Sequence, residues 1–194
     1  MLLSLRAQCR SCLCERPVGR ALADTSQPRE HPEEMVRLDS HSGVLKVRKA
    51  LRERGFGPEV VELDRTARSA ADAADALGVG VSQIVKSLLL RGRQTGRPVL
   101  VLAGGAARVD LEKISGLLSE PVEMADATYV REKSGFAIGA VPPVGHAERP
   151  ETFVDEELLV EEEVWSSAGH THAVFGMEPA ELVRLAGGRV VSVR

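Results

Sequence analysis

The stretch Ile84-Val-Lys86-Ser-Leu-Leu-Leu90, followed by Val99-Leu-Val-Leu-Ala103, decides the fold class. Both runs have strand length, and neither shows the regular polar alternation of a half-solvated strand. They read as strands covered on both faces. Lys86 interrupts the first. An ammonium inside an apolar strand is costly unless it is paired or reaches a cavity. Two readings follow. Either Lys86 faces water from an edge strand, or it presents a compact cation to a pocket, suited to a phosphate or a polarised ester carbonyl.

Working outward, residues 42–55 read as a helix. Val44, Val47 and Leu51 form its apolar stripe, Ser42 is the expected N-cap and Gly55 the stop. Lys46, Lys49, Arg52 and Arg54 occupy its outer face, which is either simply solvated or turned toward phosphates. Residues 69–77 form an Ala-rich helix between a Ser69 cap and Gly78. Further helices are expected over 110–118, 127–133 and 178–185, the last with Pro179 in its first turn. Short strands are expected over 59–63, 122–124, 136–138, 152–154, 164–167, 173–175 and 189–193. This irregular alternation predicts a mixed α/β domain with a curved mixed sheet flanked by helices, not a regular doubly wound parallel sheet.

The composition is that of an ordinary globular protein, with 43% apolar and 27% charged residues in 194. No run approaches the ~18 apolar residues that span a bilayer. The net charge of -3 excludes a basic protein that coats nucleic acid by electrostatics alone, and 3% aromatic residues argue against a base-stacking platform. Residues 1–37 read as a flexible tail without periodicity, and residues 38–194 as the folded domain. The tail holds Cys9, Cys12 and Cys14, which are either part of a zinc site lacking its fourth ligand or free thiols in a reducing cytosol. The apolar opening Leu2-Leu-Ser-Leu5 is too short for a secretory signal.

Two further segments can carry chemistry. In Gly139-Ala-Val-Pro-Pro-Val-Gly145-His146, paired prolines between glycines stiffen a loop. The amides of Ala140, Val141, Val144 and Gly145 remain available to a ligand, and glycine permits close backbone approach. The other reading is a sharp turn between strands. In Ser166-Ser-Ala-Gly169-His-Thr-His172, the two histidines share a strand face. A pocket wall is expected there, with a metal site built from His146, His170 and His172 as the competing reading. The acidic run 155–163 reads as a solvated face. No P-loop, dinucleotide fingerprint, nucleophile elbow or zincin motif is present. Without a cysteine in the folded part, the chain points to a site with no obvious protein nucleophile.

The segments Arg68-Ser-Ala-Ala-Asp-Ala-Ala, Gln83-Ile-Val-Lys86-Ser-Leu, Ala107-Arg-Val-Asp-Leu-Glu-Lys113 and Gly135-Phe-Ala-Ile-Gly-Ala-Val-Pro-Pro-Val-Gly-His146, with the Gly169 loop, carry a resemblance. In order and over roughly residues 44–193, they resemble the YbaK/prolyl-tRNA-synthetase-associated family of aminoacyl-tRNA editing domains. The resemblance implies a single YbaK-like domain that hydrolyses the ester of mischarged tRNA in trans, often tRNA(Pro) carrying a small wrong residue. Lys86 falls on the family's essential lysine. Residues 139–145 fall on its glycine/proline substrate loop, where Ala140 and Pro142 replace a Gly and a Ser found in several members. Gly169 falls in the wall bordering the amino-acid side chain. Arg68, at a helix start beside the proposed pocket, reads either as a phosphate contact or as a plain surface arginine. Ile138, Val141 and Ala168 are expected to line a small apolar pocket, with Pro143, Val144, Gly145 and His146 completing the substrate loop.

The implied partners are the 3′ aminoacyl end of tRNA and prolyl-tRNA synthetase, in the cytoplasm and away from membranes. No cofactor or metal is expected. A non-catalytic module of the same fold, binding an aminoacyl nucleotide or a synthetase, is the alternative.

Overall fold

A computed structural model describes residues 41–67 and 69–194. The cysteine-bearing tail and Arg68 lie outside the described residues. Helix α1 (Ser42–Glu53) buries Val44, Val47, Ala50 and Leu51, the stripe expected from the 3.6-residue period. Its N-cap is His41 rather than Ser42, and no side chain caps it. Strand β1 (Val60–Glu62) leads to α2 (Ala70–Leu77). Here the Asp72 amide donates to the Ser69 hydroxyl and the Ser69 amide to the Asp72 carboxylate, a reciprocal capping box. One 3₁₀ turn (Val81–Gln83) delivers the chain into β2 (Val85–Gly92).

After β2 come β3 (Pro98–Gly104), α3 (Leu111–Leu118), β4 (Val122–Met124), α4 (Ala127–Ser134) and β5 (Glu151–Asp155). A 3₁₀ turn (Glu156–Val160), β6 (Val164–His170), β7 (Ala173–Met177), α5 (Pro179–Ala186) and β8 (Arg189–Val191) complete the domain. The mixed α/β architecture is the expected one, and its strands divide into two sheets. The larger has the order β4-β2-β3-β5-β8 and the smaller β1-β7-β6. In the larger, β2 is antiparallel to β3 and β4, while β3, β5 and β8 run parallel. A parallel bridge between Ile84 and Trp165 joins the two.

Strand β3 is buried along its whole length, as its unbroken apolar run requires. Alternation sends Val85, Leu89, Leu100, Leu102 and Val154 into a core with α1 and the smaller sheet. It sends Leu90, Val99, Val101, Ala103 and Phe153 into a second core closed by Ile114 of α3.

Two expectations fail for local reasons. Residues 136–138 form a turn, not a strand. Gly135 and Gly139 flank them at φ of 80° and 83°, leaving no extended segment to pair, and Ile138 is 59% exposed while Phe136 is buried. The acidic run is not wholly a solvated face. Asp155 ends β5 at 1% exposure, and the 3₁₀ turn after it turns Leu158 inward.

Helix α1 approaches β6 through a pair of glycines. A Cβ on Gly43 would stand 2.3 Å from the Gly169 carbonyl oxygen, and one on Gly169, at φ +87°, 2.7 Å from the Gly43 carbonyl oxygen. Both atoms are backbone and cannot swing aside. Gly43→Ala and Gly169→Ala are each expected to cost about 1–3 kcal/mol, the scale of forced overpacking. Thermal melting should show a drop of several degrees for each variant. An unchanged Gly43→Ala melting point would contradict the close approach.

Candidate active site

Strand β2 has β3 along its full length on one side, but β4 pairs only with Leu90, Arg91 and Gly92 on the other. Its first half therefore keeps an open edge. A cavity of about 270 Å³ lies there, lined by Val85, Lys86, Ser87 and Leu88. Ala70 and Ala73 of α2 form one wall, Trp165, Ser166 and Ser167 of β6 another, and Ile138, Gly139 and Val141 a third, with His170 and Thr171 at the side. Lys86 and part of the stiff loop thus share one small, mainly apolar space.

The Lys86 ammonium is bonded within the fold. Its Nζ donates to the Ala107 carbonyl. The side chain is partly buried, and burial pushes its pKa down. The positive charge of Arg194 acts in the same direction, and the carboxylate of Asp155 acts against it. Asp155 shifts oppositely. Burial raises its pKa, with Arg194 and the Val193 amide favouring its ionised form.

The loop serves two purposes. Ile138, Gly139 and Val141 reach the cavity; Ala140, Pro142, Pro143, Val144, Gly145 and His146 do not line it. Ala140, Val144 and both prolines are buried behind it. The Ala140 amide, expected to be available, donates to the Ala137 carbonyl at 3.0 Å. His146 lies 2.7 Å, through Nε2, from the Pro142 carbonyl oxygen, so Nε2 carries the proton. Its ring meets Phe136 edge-on at 6.2 Å. Gly145 approaches Ala50 of α1.

Ala168 and Gly169 are also withdrawn from the cavity. Alternation along β6 turns Ala168 into the core at 0% exposure. Gly169 is used by its contact with α1, and its amide donates to the Ser167 hydroxyl at 3.2 Å. The histidines stack instead of converging on a point. The His41 and His170 rings are 4.1 Å apart, those of His170 and His172 5.6 Å, and His172 Nε2 lies 2.6 Å from the Thr66 hydroxyl. His146 is engaged elsewhere. Among the described residues no group of three or more His, Cys, Asp or Glu is placed to hold a metal.

Sequence reading missed Ser69, Ser87, Trp165 and Thr171 on the cavity wall, and the buried Asp155 on β5, two strands from Lys86. The hydroxyls of Ser87 and Ser166 are buried without a hydrogen-bond partner among the described residues, and the Asp155 oxygens make none of ordinary geometry. A polar residue inside an apolar run is the one sequence signal that Ser87 offered, and it is a weak one.

Residues 64–185 match the aminoacyl-tRNA editing domain family. The chain belongs to that family. Relatives include the "Uncharacterized protein YwhH" of Bacillus subtilis (strain 168), 30% identical over 132 residues, covering 68% of this chain and 83% of that protein. The "Putative Cys-tRNA(Pro)/Cys-tRNA(Cys) deacylase EbsC" of Enterococcus faecalis (strain ATCC 700802 / V583) is 26% identical over 126 residues, covering 64% and 76%. Among solved structures, one described as "a putative trans-editing enzyme for prolyl tRNA synthetase" is 42% identical. It superposes with a TM-score of 0.75 over 79% of this chain and 98% of its own. Family membership carries a deacylase-like role in translation fidelity. No helix among the described residues is long and apolar enough to cross a membrane.

Burial pushes the pKa of His146 down, against the hydrogen bond to Pro142, and burial lowers His170 as well. Below the ordinary histidine value of about 6.5, the unfolded chain takes up protons that these rings refuse in the fold. Their contribution to stability is present above that pH and lost as pH falls through it. Urea midpoints at pH 7.5 and 5.5 should show a loss at the lower pH, reduced in His146→Gln, which keeps a donor for Pro142 without titrating. An equal loss in that variant would contradict the assignment.

Proposed function

We propose that this protein is a free-standing deacylase that hydrolyses the ester joining a small wrong amino acid to the 3′ end of tRNA, with tRNA(Pro) as the leading carrier. The observation that carries the reading is the cavity of about 270 Å³ that brings Lys86 together with Ile138, Gly139 and Val141. An aminoacyl ester is already activated, so positioning and charge stabilisation suffice without a protein nucleophile. The lysine ammonium, exchanging the Ala107 carbonyl for substrate, steadies the terminal phosphate or the negative charge growing on the ester oxygen. Gly139 lets the ribose or the carbonyl approach the main chain. Water adds to the ester carbon with the 2′-hydroxyl of the terminal ribose as base. The C–O bond to the ribose breaks, and the proton passes to the departing ribose oxygen. A cavity of this size excludes large side chains but separates near-isosteres poorly, since one methylene is worth only ~1–3 kcal/mol.

The exposed basic residues of α1 (Lys46, Lys49, Arg52) offer a small patch for the acceptor stem, with Lys49 already 3.8 Å from Glu53. The bond from Lys86 to Ala107 favours a second reading, a module that binds an aminoacyl nucleotide or prolyl-tRNA synthetase without turnover. Work on charged tRNA is work in the cytoplasm, and we take that as the setting of the deacylase.

Both readings are tested with tRNA(Pro) carrying Ala, Ser, Thr or Cys, assayed with and without chelator. At least one is expected to be hydrolysed, chelator is expected to have no effect, and Lys86→Ala should lower the rate by ~100-fold or more, the scale of removing a transition-state charge donor. Retained binding without hydrolysis would favour the module. Full turnover by Lys86→Ala would overturn the mechanism.

A further inference from the structure

Among the described residues Asp155 is the one buried ionisable acid, and the proposed mechanism leaves it unused. It is 1% exposed, and neither oxygen makes a hydrogen bond of ordinary geometry, the Val193 amide being the one backbone donor that favours its ionised form. A buried carboxylate so sparsely bonded is costly and calls for an explanation. The sheet register supplies one. Lys86 pairs with Ala103 across β2 and β3, and Leu102 pairs with Val154 across β3 and β5. One further step along the parallel ladder sets Asp155 beside Ala103. Residues in register point to the same face, so Lys86, Ala103 and Asp155 form a row across three strands. Two strand spacings, about 10 Å, separate the outer backbones, and Ala103 between them has too small a side chain to block the path. An extended lysine stem closes most of that gap.

We propose that Asp155 is a positioning residue for Lys86, holding its ammonium charged and aligned beside the cavity from two strands away. This rests on the reading of Lys86 given above. Opposite charges in one desolvated place favour each other's ionisation. Desolvation and Arg194 both work against the Lys86 ammonium, and Asp155 is the carboxylate that opposes them. The other charged groups around Asp155 are Arg194, Glu156 and Lys113. Arg194 is itself engaged by Glu157, and Lys113 by the Arg194 carbonyl. Lys86, by contrast, is bonded only to a neutral carbonyl, that of Ala107. Asp155 thus keeps the lysine protonated without clamping it, and the ammonium stays free to leave Ala107 for a substrate.

Asp155→Asn, close to isosteric, removes the charge. Two readouts are taken on the full chain. The first is the apparent pKa of the Lys86 amine, from competitive labelling with trace acetic anhydride across pH and site-resolved mass spectrometry. The second is the alkaline limb of the pH profile for hydrolysis of the best aminoacyl-tRNA. Both are expected to move to lower pH by about one unit, within the range an opposite charge imposes. KM should change little and kcat should fall on the alkaline side.

An unmoved labelling curve overturns the proposal, whatever happens to activity. If Lys86→Ala hydrolyses normally, the mechanism falls, and labelling alone still decides the hold of Asp155 on the lysine. If Lys86→Ala is inactive, a shifted labelling curve with an unmoved hydrolysis profile also overturns the proposal. Should Asp155→Asn not melt cooperatively, Asp155→Glu and Asp155→Gln carry the comparison. Glu, which keeps the charge, should hold the Lys86 pKa nearer the wild-type value than Gln does.

Discussion

Strand β2 is paired along its full length on one side and along only part of it on the other, and the site depends on that inequality. With β4 stopping at Leu90, the edge from Val85 to Leu88 has no strand laddered to it, and β6 bridges only to Ile84 just before it. An open sheet edge exposes backbone groups and invites wrong pairing, so folds cover it. Here α2, the end of β6 and the 138–141 turn close over it at a distance and leave a small space. A short apolar strand with one cation near its start lines that space and still pairs within the larger sheet.

The walls are set by backbone contacts that tolerate little change. Gly43 and Gly169 let α1 lie directly on β6. Gly145, at φ +82°, turns the loop beside Ala50, and His146 ties the prolines to themselves through the Pro142 carbonyl. The stiff loop therefore divides its labour. Its first residues face the cavity, and the rest form a packed brace. Such rigidity suits a site that works by placing an already reactive ester. Charge is handled with the same economy, because Lys86 and Asp155 offset each other across Ala103 and leave the cavity wall mainly apolar.

The buried strands, the helix caps at Ser69, Asp110 and Asp126, and the left-handed stops at Gly78 and Gly135 follow rules that act within a few residues. For that reason most elements were legible in the chain itself. Lys86 was legible too, because a cation in an apolar run violates the pattern. The role of the loop was only half legible. That Ala140 would spend its amide on Ala137, or Gly169 its bare Cα on a helix, depends on partners that spacing does not disclose. Asp155 was hidden for the same reason. In the run Asp155-Glu-Glu it looks like one more surface acid, and only the register of three strands sets it in line with Lys86.

The most direct measurement is a crystal structure with a non-hydrolysable analogue, an adenosine whose 3′-amine carries an alanyl or seryl group in amide linkage. The account predicts that the amino-acyl group occupies the space between the open edge of β2 and Ile138–Val141. The Lys86 ammonium should have turned from Ala107 to the ligand. An analogue seated elsewhere, such as the groove of about 520 Å³ that Leu51, Arg52, Phe56 and Val60 line between α1 and β1, or a lysine still bound to Ala107 with the ligand in place, would contradict it.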